Sequence, residues 1–158
     1  VDIVWLMPIS PIGVDGRKGT LGSYYSIIDY KEINPEFGTM DDFKKFLNTA
    51  HDLGLKVIID WVANHTSRDA DWWNDGKKDW YVMDEETGLP IVEYDWTDIA
   101  KLNYENQEMR AAMLDASRAT SSETPPISNI TFWFLTTATQ PSGAPLPEPI
   151  RVPRPYLE

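Results

Sequence analysis

Three polar residues stand where a short apolar segment ends. The run LKVIIDW at 55–61 is typical of a buried strand, and Asp60, Asn64 and His65 lie at or just beyond its carboxyl end. Because parallel α/β folds bind ligands at the carboxyl ends of their strands, these three side chains predict a binding site. Residue chemistry leaves a structural alternative equally open. In that alternative Asp60 and Asn64 cap the loop, and His65 is a loop histidine with satisfied hydrogen bonds.

The stretch that follows, 66–104, mixes aromatic rings with acids. It holds ten carboxylates, among them Asp69, Asp71, Asp75, Asp95 and Asp98. Its aromatic residues are Trp72, Trp73, Trp80, Tyr81, Tyr94, Trp96 and Tyr104. Aromatic faces stack on the apolar faces of sugar rings, and carboxylates accept hydrogen bonds from hydroxyl groups, so this mixture suits a neutral polyol ligand. The opposing interpretation, which we favour for most of these rings individually, is that they form the core of an inserted subdomain, with a few at the rim touching ligand.

Charge and composition exclude several classes of partner. The chain has a net charge of −11 and a pI near 4.5. It therefore lacks the basic surface that nucleic-acid binding needs, and anionic membranes would repel it. Without cysteine, neither disulfides nor thiolate metal sites can form. No run approaches the roughly 18 apolar residues of a membrane span. P-loop, GxGxxG, HExxH and GxSxG motifs are absent, so we expect no organic cofactor, whereas a divalent cation held by carboxylates fits the acidic balance.

The elements that must position these residues follow an α/β order. An apolar run at 1–9 predicts a buried parallel strand, and a long connection covers 10–38. A helix is predicted from its N-cap Thr39 to Gly54, where it ends. Its apolar face holds Phe43, Phe46, Leu47, Ala50 and Leu53. After the strand at 55–61, a second helix begins near Asn106, and its apolar face holds Met109, Ala112, Met113 and Ala116.

This alternation of strand, helix, strand and helix predicts an α/β fold with a parallel sheet. About 40 residues separate the second strand from the second helix, whereas βα loops usually have about 2–6. The stretch 66–104 is therefore predicted to be an inserted subdomain or a functional loop.

The composition changes abruptly near residue 117. Residues 117–158 hold 8 of the 12 prolines and neither Asp nor Lys, and prolines at this density oppose a continuing helix or a central strand. This Pro/Ser/Thr-rich tail is interpreted either as a disordered linker or as out-of-frame translation or a truncated gene call. The apolar, aromatic run at 130–135 is unusual for a linker. The chain also begins without Met, so we expect its true N-terminus to be missing.

Taken in order, these segments resemble the α-amylase superfamily, glycoside hydrolase family thirteen. The run at 1–9 resembles its second barrel strand, and GSYYSIIDY at 22–30 with NPEFGT at 34–39 resembles its GY-x-x-x-DY…P-x-x-GT stretch. TAHDLGLKV at 49–57 resembles its AH-x-x-G-x-x-V segment, and DWVANH at 60–65 matches its D-x-V-x-NH signature at every fixed position. The match covers about 116 residues in the right order, and the combination is highly specific.

The resemblance implies a fold and a substrate class. The implied fold is a partial (β/α)8 barrel at 1–116, holding strands two and three, helices two and three, and a domain B-like insertion at 66–104. The tail at 117–158 does not match the family. The implied activity is hydrolysis of α-glucans such as starch and maltooligosaccharides with retention of configuration. AKLN at 100–103 resembles the MPKLN-type fifth signature of the neopullulanase and cyclomaltodextrinase group.

Four residues take roles from the resemblance. Tyr25 is similar to the tyrosine that stacks on the sugar at the cleavage subsite, and His65 to the histidine that hydrogen-bonds a hydroxyl group of that sugar. Asp60 is similar to the structural aspartate beneath the site and is grouped with these substrate-binding residues. Asn64 is similar to the asparagine that binds a structural calcium ion in many members.

The chain departs from the family where the chemistry should follow. The nucleophile belongs to a G-x-R-x-D segment after the third helix, and neither that segment nor the later Glu and HD signatures occurs here. Retaining hydrolysis needs two carboxyl groups roughly 5–5.5 Å apart. We therefore assign no catalytic residue within this chain and expect the chain as given to be inactive.

Three interpretations of function remain. The first is a fragment of an α-glucan hydrolase. The second is a non-catalytic carbohydrate-binding relative from the same superfamily, and the third is an unrelated α/β-barrel enzyme, which the ordered motifs disfavour. A partial barrel exposes apolar faces and leaves its core half built, so we expect marginal stability. Cellular compartment and oligomeric state stay open.

Overall fold

The computed structural model describes residues 1–122 and 130–134. Within these ranges the strands are β1 (Ile3–Leu6), β2 (Lys56–Trp61), β3 (His65–Ser67), β4 (Ile99–Lys101) and β5 (Ile130–Phe134). The α-helices are α1 (Met40–Asp52), α2 (Asp71–Asn74) and α3 (Gln107–Ser122). Single 3-10 turns lie at Pro35–Phe37 and Lys78–Trp80.

A parallel sheet organises the described part of the chain. Its strand order is β1-β2-β5, with Val4 opposite Val57 and Ile59 opposite Phe132. Helix α1 connects β1 to β2, and α3 precedes β5, so the predicted α/β class is confirmed. Because the strands are parallel, their carboxyl ends share one edge of the sheet, and DWVANH at 60–65 lies there.

Helix α1 begins and ends where the sequence predicts. The Thr39 hydroxyl accepts a hydrogen bond from the Asp42 backbone N–H, and the Asp42 carboxylate accepts one from the Thr39 backbone N–H, which together form a capping box. Gly54 follows the C-cap with φ of +76°, a conformation that favours glycine. Phe43, Leu47 and Ala50 are buried against β2. Two residues of the predicted face stay outside, because Phe46 is 39% exposed and Leu53 is 71% exposed.

Strand β1 differs from its prediction. The apolar run at 1–9 predicts a buried parallel strand, but Ile3 is 49% exposed and Trp5 is 56% exposed. Within the described residues, β1 pairs only with β2 and forms one border of the sheet. The alternate side chains of a strand point to opposite faces, so a strand covered on one face buries only half of its apolar residues.

The insertion at 66–104 folds onto the carboxyl edge of the sheet. Strands β3 and β4 pair antiparallel, and His65 stands opposite Lys101. The main apolar cluster joins this insertion to α3 and to the end of β2. Its buried members include Trp61, Trp80, Tyr81, Leu102, Met109 and Met113.

Helix α3 crosses the predicted composition break. It continues through residue 117 to Ser122, and β5 occupies 130–134 next to β2. On the predicted helix face, Met109, Met113 and Ala116 are buried as expected, and Ala112 is partly buried against the same cluster. The rest of the predicted tail lies outside the described residues, and the division at 116/117 stays a prediction. Among the described residues no helix is long and apolar enough to cross a membrane.

Candidate substrate cleft

A cleft opens beside the carboxyl end of β2. It has a volume of about 450 Å³, within the range of small-molecule sites. Its walls come from the connection after β1, from β3 and from the insertion. The lining residues are Lys18, Gly22, Ser23, Tyr25, His65, Asp95, Trp96, Asp98 and Ile99. The structure thus brings the predicted Tyr25 and His65 into one wall, while Asp60 and Asn64 stand behind it.

Asp60 holds Tyr25 in place. The Tyr25 hydroxyl donates to Asp60 Oδ2 at 2.8 Å, and the Trp5 indole N–H donates to Asp60 Oδ1. Both carboxylate oxygens are therefore occupied by ring donors from neighbouring segments. Burial, followed by the hydrogen bond and the negative charge of Asp60, raises the pKa of Tyr25, so its hydroxyl keeps its proton at neutral pH. This geometry gives Asp60 a positioning role beneath the cleft.

His65 is buried, and both of its ring nitrogens have protein partners. Nε2 lies 3.1 Å from the Tyr25 carbonyl oxygen and therefore carries the N–H, while Nδ1 accepts from the Asn64 side-chain amide at 3.2 Å. Burial lowers the pKa of His65, although the Tyr25 carbonyl and the charges of Asp98 and Glu93 oppose that shift. The ring is thus neutral at pH 7. A sugar hydroxyl that bonds Nε2 must share or replace the contact with Tyr25.

Asn64 is buried, and its amide faces Glu93. Its Nδ2 lies 3.4 Å from Glu93 Oε2, and Lys101 Nζ pairs with Glu93 Oε1. Calcium ions take about 6–8 oxygen ligands in proteins. Within the described residues, no group of three or more His, Asp or Glu side chains could hold a metal ion. These groups around Asn64 therefore do not fit the calcium ion that the family resemblance implied at this residue.

The aromatic residues of the insertion divide into core and rim. Trp80 and Tyr81 are buried, and Trp72 and Trp73 pack against the same cluster, as the core interpretation expected. Tyr94, by contrast, is 76% exposed, and its ring centroid lies 5.0 Å from that of Trp96. The Trp96 centroid is in turn 6.1 Å from His65. Trp96 thus lines the cleft beside His65, and Tyr94 packs on Trp96; these two residues are here called the rim aromatics.

Sequence reasoning did not single out several residues at the cleft. Lys18 pairs with Asp95 at 2.7 Å, which joins the connection after β1 to the insertion, and Ser23 lines the same wall. Glu93 and Lys101 also went unremarked as a pair. The partners of each pair lie far apart in sequence or in an irregular loop, so no periodic pattern could have revealed them.

Comparison with known proteins identifies the family. The model of the α-amylase catalytic domain matches residues 1–91, which is more than half of the chain. The chain belongs to the α-amylase catalytic-domain family, and the recognition made from DWVANH and its companion segments is confirmed.

Individual relatives agree with this assignment. The chain is 32% identical to probable oligo-1,6-glucosidase 3 of Bacillus subtilis, over 72% of this chain and 25% of that protein. It is also 32% identical to the α-amylase MalA of Haloarcula japonica, over 73% of this chain and 18% of that protein. The chain thus spans a quarter or less of these curated relatives.

Solved structures of the same family share the fold. The maltogenic α-amylase AmyB of Thermotoga neapolitana matches with a TM-score of 0.78 and 38% identity, over 89% of this chain and 32% of that chain. An α-amylase of Lactobacillus plantarum matches with a TM-score of 0.72 and 43% identity, over 77% of this chain and 28% of that chain. These neighbours are (β/α)8-barrel amylases, in keeping with a partial barrel here.

Proposed function

We propose that this chain supplies part of the substrate cleft of a retaining α-glucan hydrolase. The observation that carries the proposal is the convergence of Tyr25, His65 and Trp96 on one cleft at the carboxyl edge of a parallel sheet. An oriented ring, a neutral imidazole and a second aromatic face suit a hydroxyl-rich ring with apolar faces. In this assignment β1 and β2 are barrel strands two and three, and α1 and α3 are helices two and three.

Each cleft residue has a proposed task. Tyr25, fixed by Asp60, stacks on the sugar nearest the scissile bond. His65 donates its Nε2 hydrogen to a hydroxyl group of that sugar when the bond to the Tyr25 carbonyl gives way. The rim aromatics stack on the next sugar of the glucan, because the Trp96 ring lies next to His65 and the Tyr94 ring lies next to Trp96.

We further propose that the chain alone does not hydrolyse glucans. The sequence holds no G-x-R-x-D segment for a nucleophile and no segment that matches the family's acid/base signature. Retaining chemistry needs both carboxyl groups. Release of reducing sugar from maltohexaose by the purified chain, above the level of a heat-inactivated sample, would overturn this part of the proposal.

Binding is tested separately from hydrolysis. Isothermal titration of the chain with maltohexaose should give a saturable heat, and cellohexaose, its β-linked counterpart, should give a much weaker one. Tyr25→Ala should abolish the maltohexaose signal. Tyr24→Ala is the matched control, because Tyr24 packs on Phe37 and lies outside the cleft. Equal binding by the two variants would remove the basis for assigning the cleft.

A second candidate function is carbohydrate binding alone, in which the protein that contains this chain binds a glucan and does not hydrolyse it. It is favoured by the same cleft together with the absence of a G-x-R-x-D segment after α3 in this sequence. Sequencing of the source DNA across codons 105–158 distinguishes the two candidates. A corrected frame that reads into G-x-R-x-D supports the hydrolase, whereas an unchanged sequence supports the binding protein.

A further inference from the structure

We propose that the ammonium group of Lys101 takes the place of a metal cation beside Asn64, so that an internal ion pair with Glu93, and no calcium ion, fastens the loop 93–98 over His65. Lys101 and Glu93 are then positioning residues for the wall of the cleft. The proposal concerns how this wall is held and does not depend on which ligand the cleft binds.

The position of Lys101 is fixed by its strand. It is the last residue of β4 and stands opposite His65 in the antiparallel register with β3. The backbone N–H of Val82 donates to the Lys101 carbonyl at 3.0 Å, and the N–H of Leu102 donates to the Asn64 carbonyl at 3.0 Å. The backbone that carries the Lys101 side chain is therefore held by hydrogen bonds to Val82 and to Asn64.

Glu93 belongs to the loop that forms the outer wall of the cleft. Its side chain is 19% exposed and that of Lys101 is 22% exposed, so the pair is shielded from solvent more than a surface ion pair is. Burial alone would raise the pKa of Glu93, but hydrogen bonds from Lys101 and Asn64 outweigh it and lower the pKa. Glu93 is therefore ionised at neutral pH and bound at both oxygens.

These contacts leave few oxygen atoms that could bind a metal ion. One oxygen of Glu93 accepts from Lys101, the other accepts from Asn64, and the Asn64 group that faces the carboxylate is its donor amide. A calcium ion placed there would face an ammonium group and an N–H donor, where calcium requires oxygen ligands. An ammonium group supplies a positive charge and three donors without any need for an exchangeable ion.

The loop carries residues that depend on this anchor. Trp96 lies three residues beyond Glu93 and lines the cleft next to His65. Tyr94, directly after Glu93, adopts φ of +55°, a left-handed conformation that is costly for a residue with a side chain. The Lys101–Glu93 pair sits immediately before this turn and holds the loop at its entry.

Calcium binding is the first test. The 158-residue chain should show no saturable heat with millimolar calcium, and neither calcium nor EDTA should shift its thermal transition. Lys101→Asp should gain a calcium-dependent rise of the transition, because a carboxylate in place of the ammonium joins Glu93 as an oxygen donor. Lys101→Met is the matched control of similar length, and it should gain no response to calcium.

Loop anchoring is the second test. Chymotrypsin should cut after the exposed Tyr94 severalfold faster in Lys101→Met than in the original chain, and Lys101→Arg, which keeps the charge, should restore protection. Saturable calcium binding by the original chain would overturn the proposal, even if every variant failed to fold. Unchanged cleavage in a folded Lys101→Met, or a folded Lys101→Asp without any calcium response, would overturn it as well.

Discussion

At the scale of single residues, the cleft depends on one carboxylate that orients two rings. The Asp60 carboxylate accepts hydrogen bonds from Tyr25, which lies in the connection after β1, and from Trp5, which lies in β1. The sequence placed Asp60, Asn64 and His65 together from their position at a strand end. It could not show that Asn64 serves His65 and Glu93 as a donor, because that depends on the direction of a side-chain amide.

Removing one hydroxyl group tests this orientation. Tyr25→Phe should lower the free energy of unfolding by about 1 kcal/mol, since Asp60 loses one donor in a partly buried place. Urea denaturation followed by tryptophan fluorescence measures the change. Tyr24→Phe is the control and should change stability far less, because the Tyr24 hydroxyl meets Glu36 only at 3.5 Å. A Tyr25→Phe chain as stable as the original contradicts the role given to Asp60.

The lowered pKa of His65 makes stability depend on pH. The folded chain resists protonating this ring, whereas the unfolded chain takes up the proton near the ordinary value of 6.5. Stability is therefore fully present above 6.5 and is lost as the pH falls toward the lower pKa of the folded state. His65→Gln should flatten this part of the profile of melting temperature against pH. A profile that keeps its slope in the variant would assign the effect to other groups.

At the scale of elements, α1 is the part that the sequence specified most fully. Thr39 and Gly54 are local signals for the start and the end of a helix, so they could be identified from the sequence without knowledge of the fold. The burial of β1 could not be predicted in this way, because an apolar run has the same sequence pattern whether one face or both faces of the strand are covered. The Lys101–Glu93 pair was equally hidden, since it joins a strand end to an irregular loop.

Loss of the capping box should weaken α1 measurably. Thr39→Ala removes the hydroxyl that accepts from the Asp42 N–H and should cost about 1 kcal/mol of unfolding free energy. Thr39→Ser keeps the oxygen and should recover most of that loss. Urea titrations of the three chains decide the matter, and identical midpoints for Ala and Ser would exclude a contribution from the cap.

Packing between the connection and β3 depends on Gly13. A Cβ atom at this position would lie 2.4 Å from Ser67 Cβ and 2.4 Å from Asp69 Oδ1, closer than real contacts allow. Gly13→Ala should therefore destabilise the chain by about 1–3 kcal/mol, the usual cost of overpacking. Val14→Ala, at a neighbouring position that is 66% exposed, serves as the control. Equal unfolding midpoints for the two variants in urea would show that the contact yields without strain.

At the scale of the whole molecule, the described residues leave apolar surface exposed along β1. Ile3, Trp5 and Met7 are each about half exposed at 49%, 56% and 54%, and parallel sheets normally cover such residues with helices on both faces. We expect a broad thermal transition of low enthalpy, because a core that is covered on one side gains little from cooperative packing. Differential scanning calorimetry measures this directly, and a sharp two-state peak would contradict the expectation.

Ligand titration provides the most direct test of the central claim, which is that Tyr25, His65 and the rim aromatics form an α-glucan cleft. Amide chemical shifts of the isotope-labelled chain would be followed by NMR during titration with maltotriose. We predict shifts that saturate at 22–25, 65 and 94–98, with none along 40–52. Saturating shifts confined to α1, or none in the cleft at concentrations that saturate other amides, would contradict it.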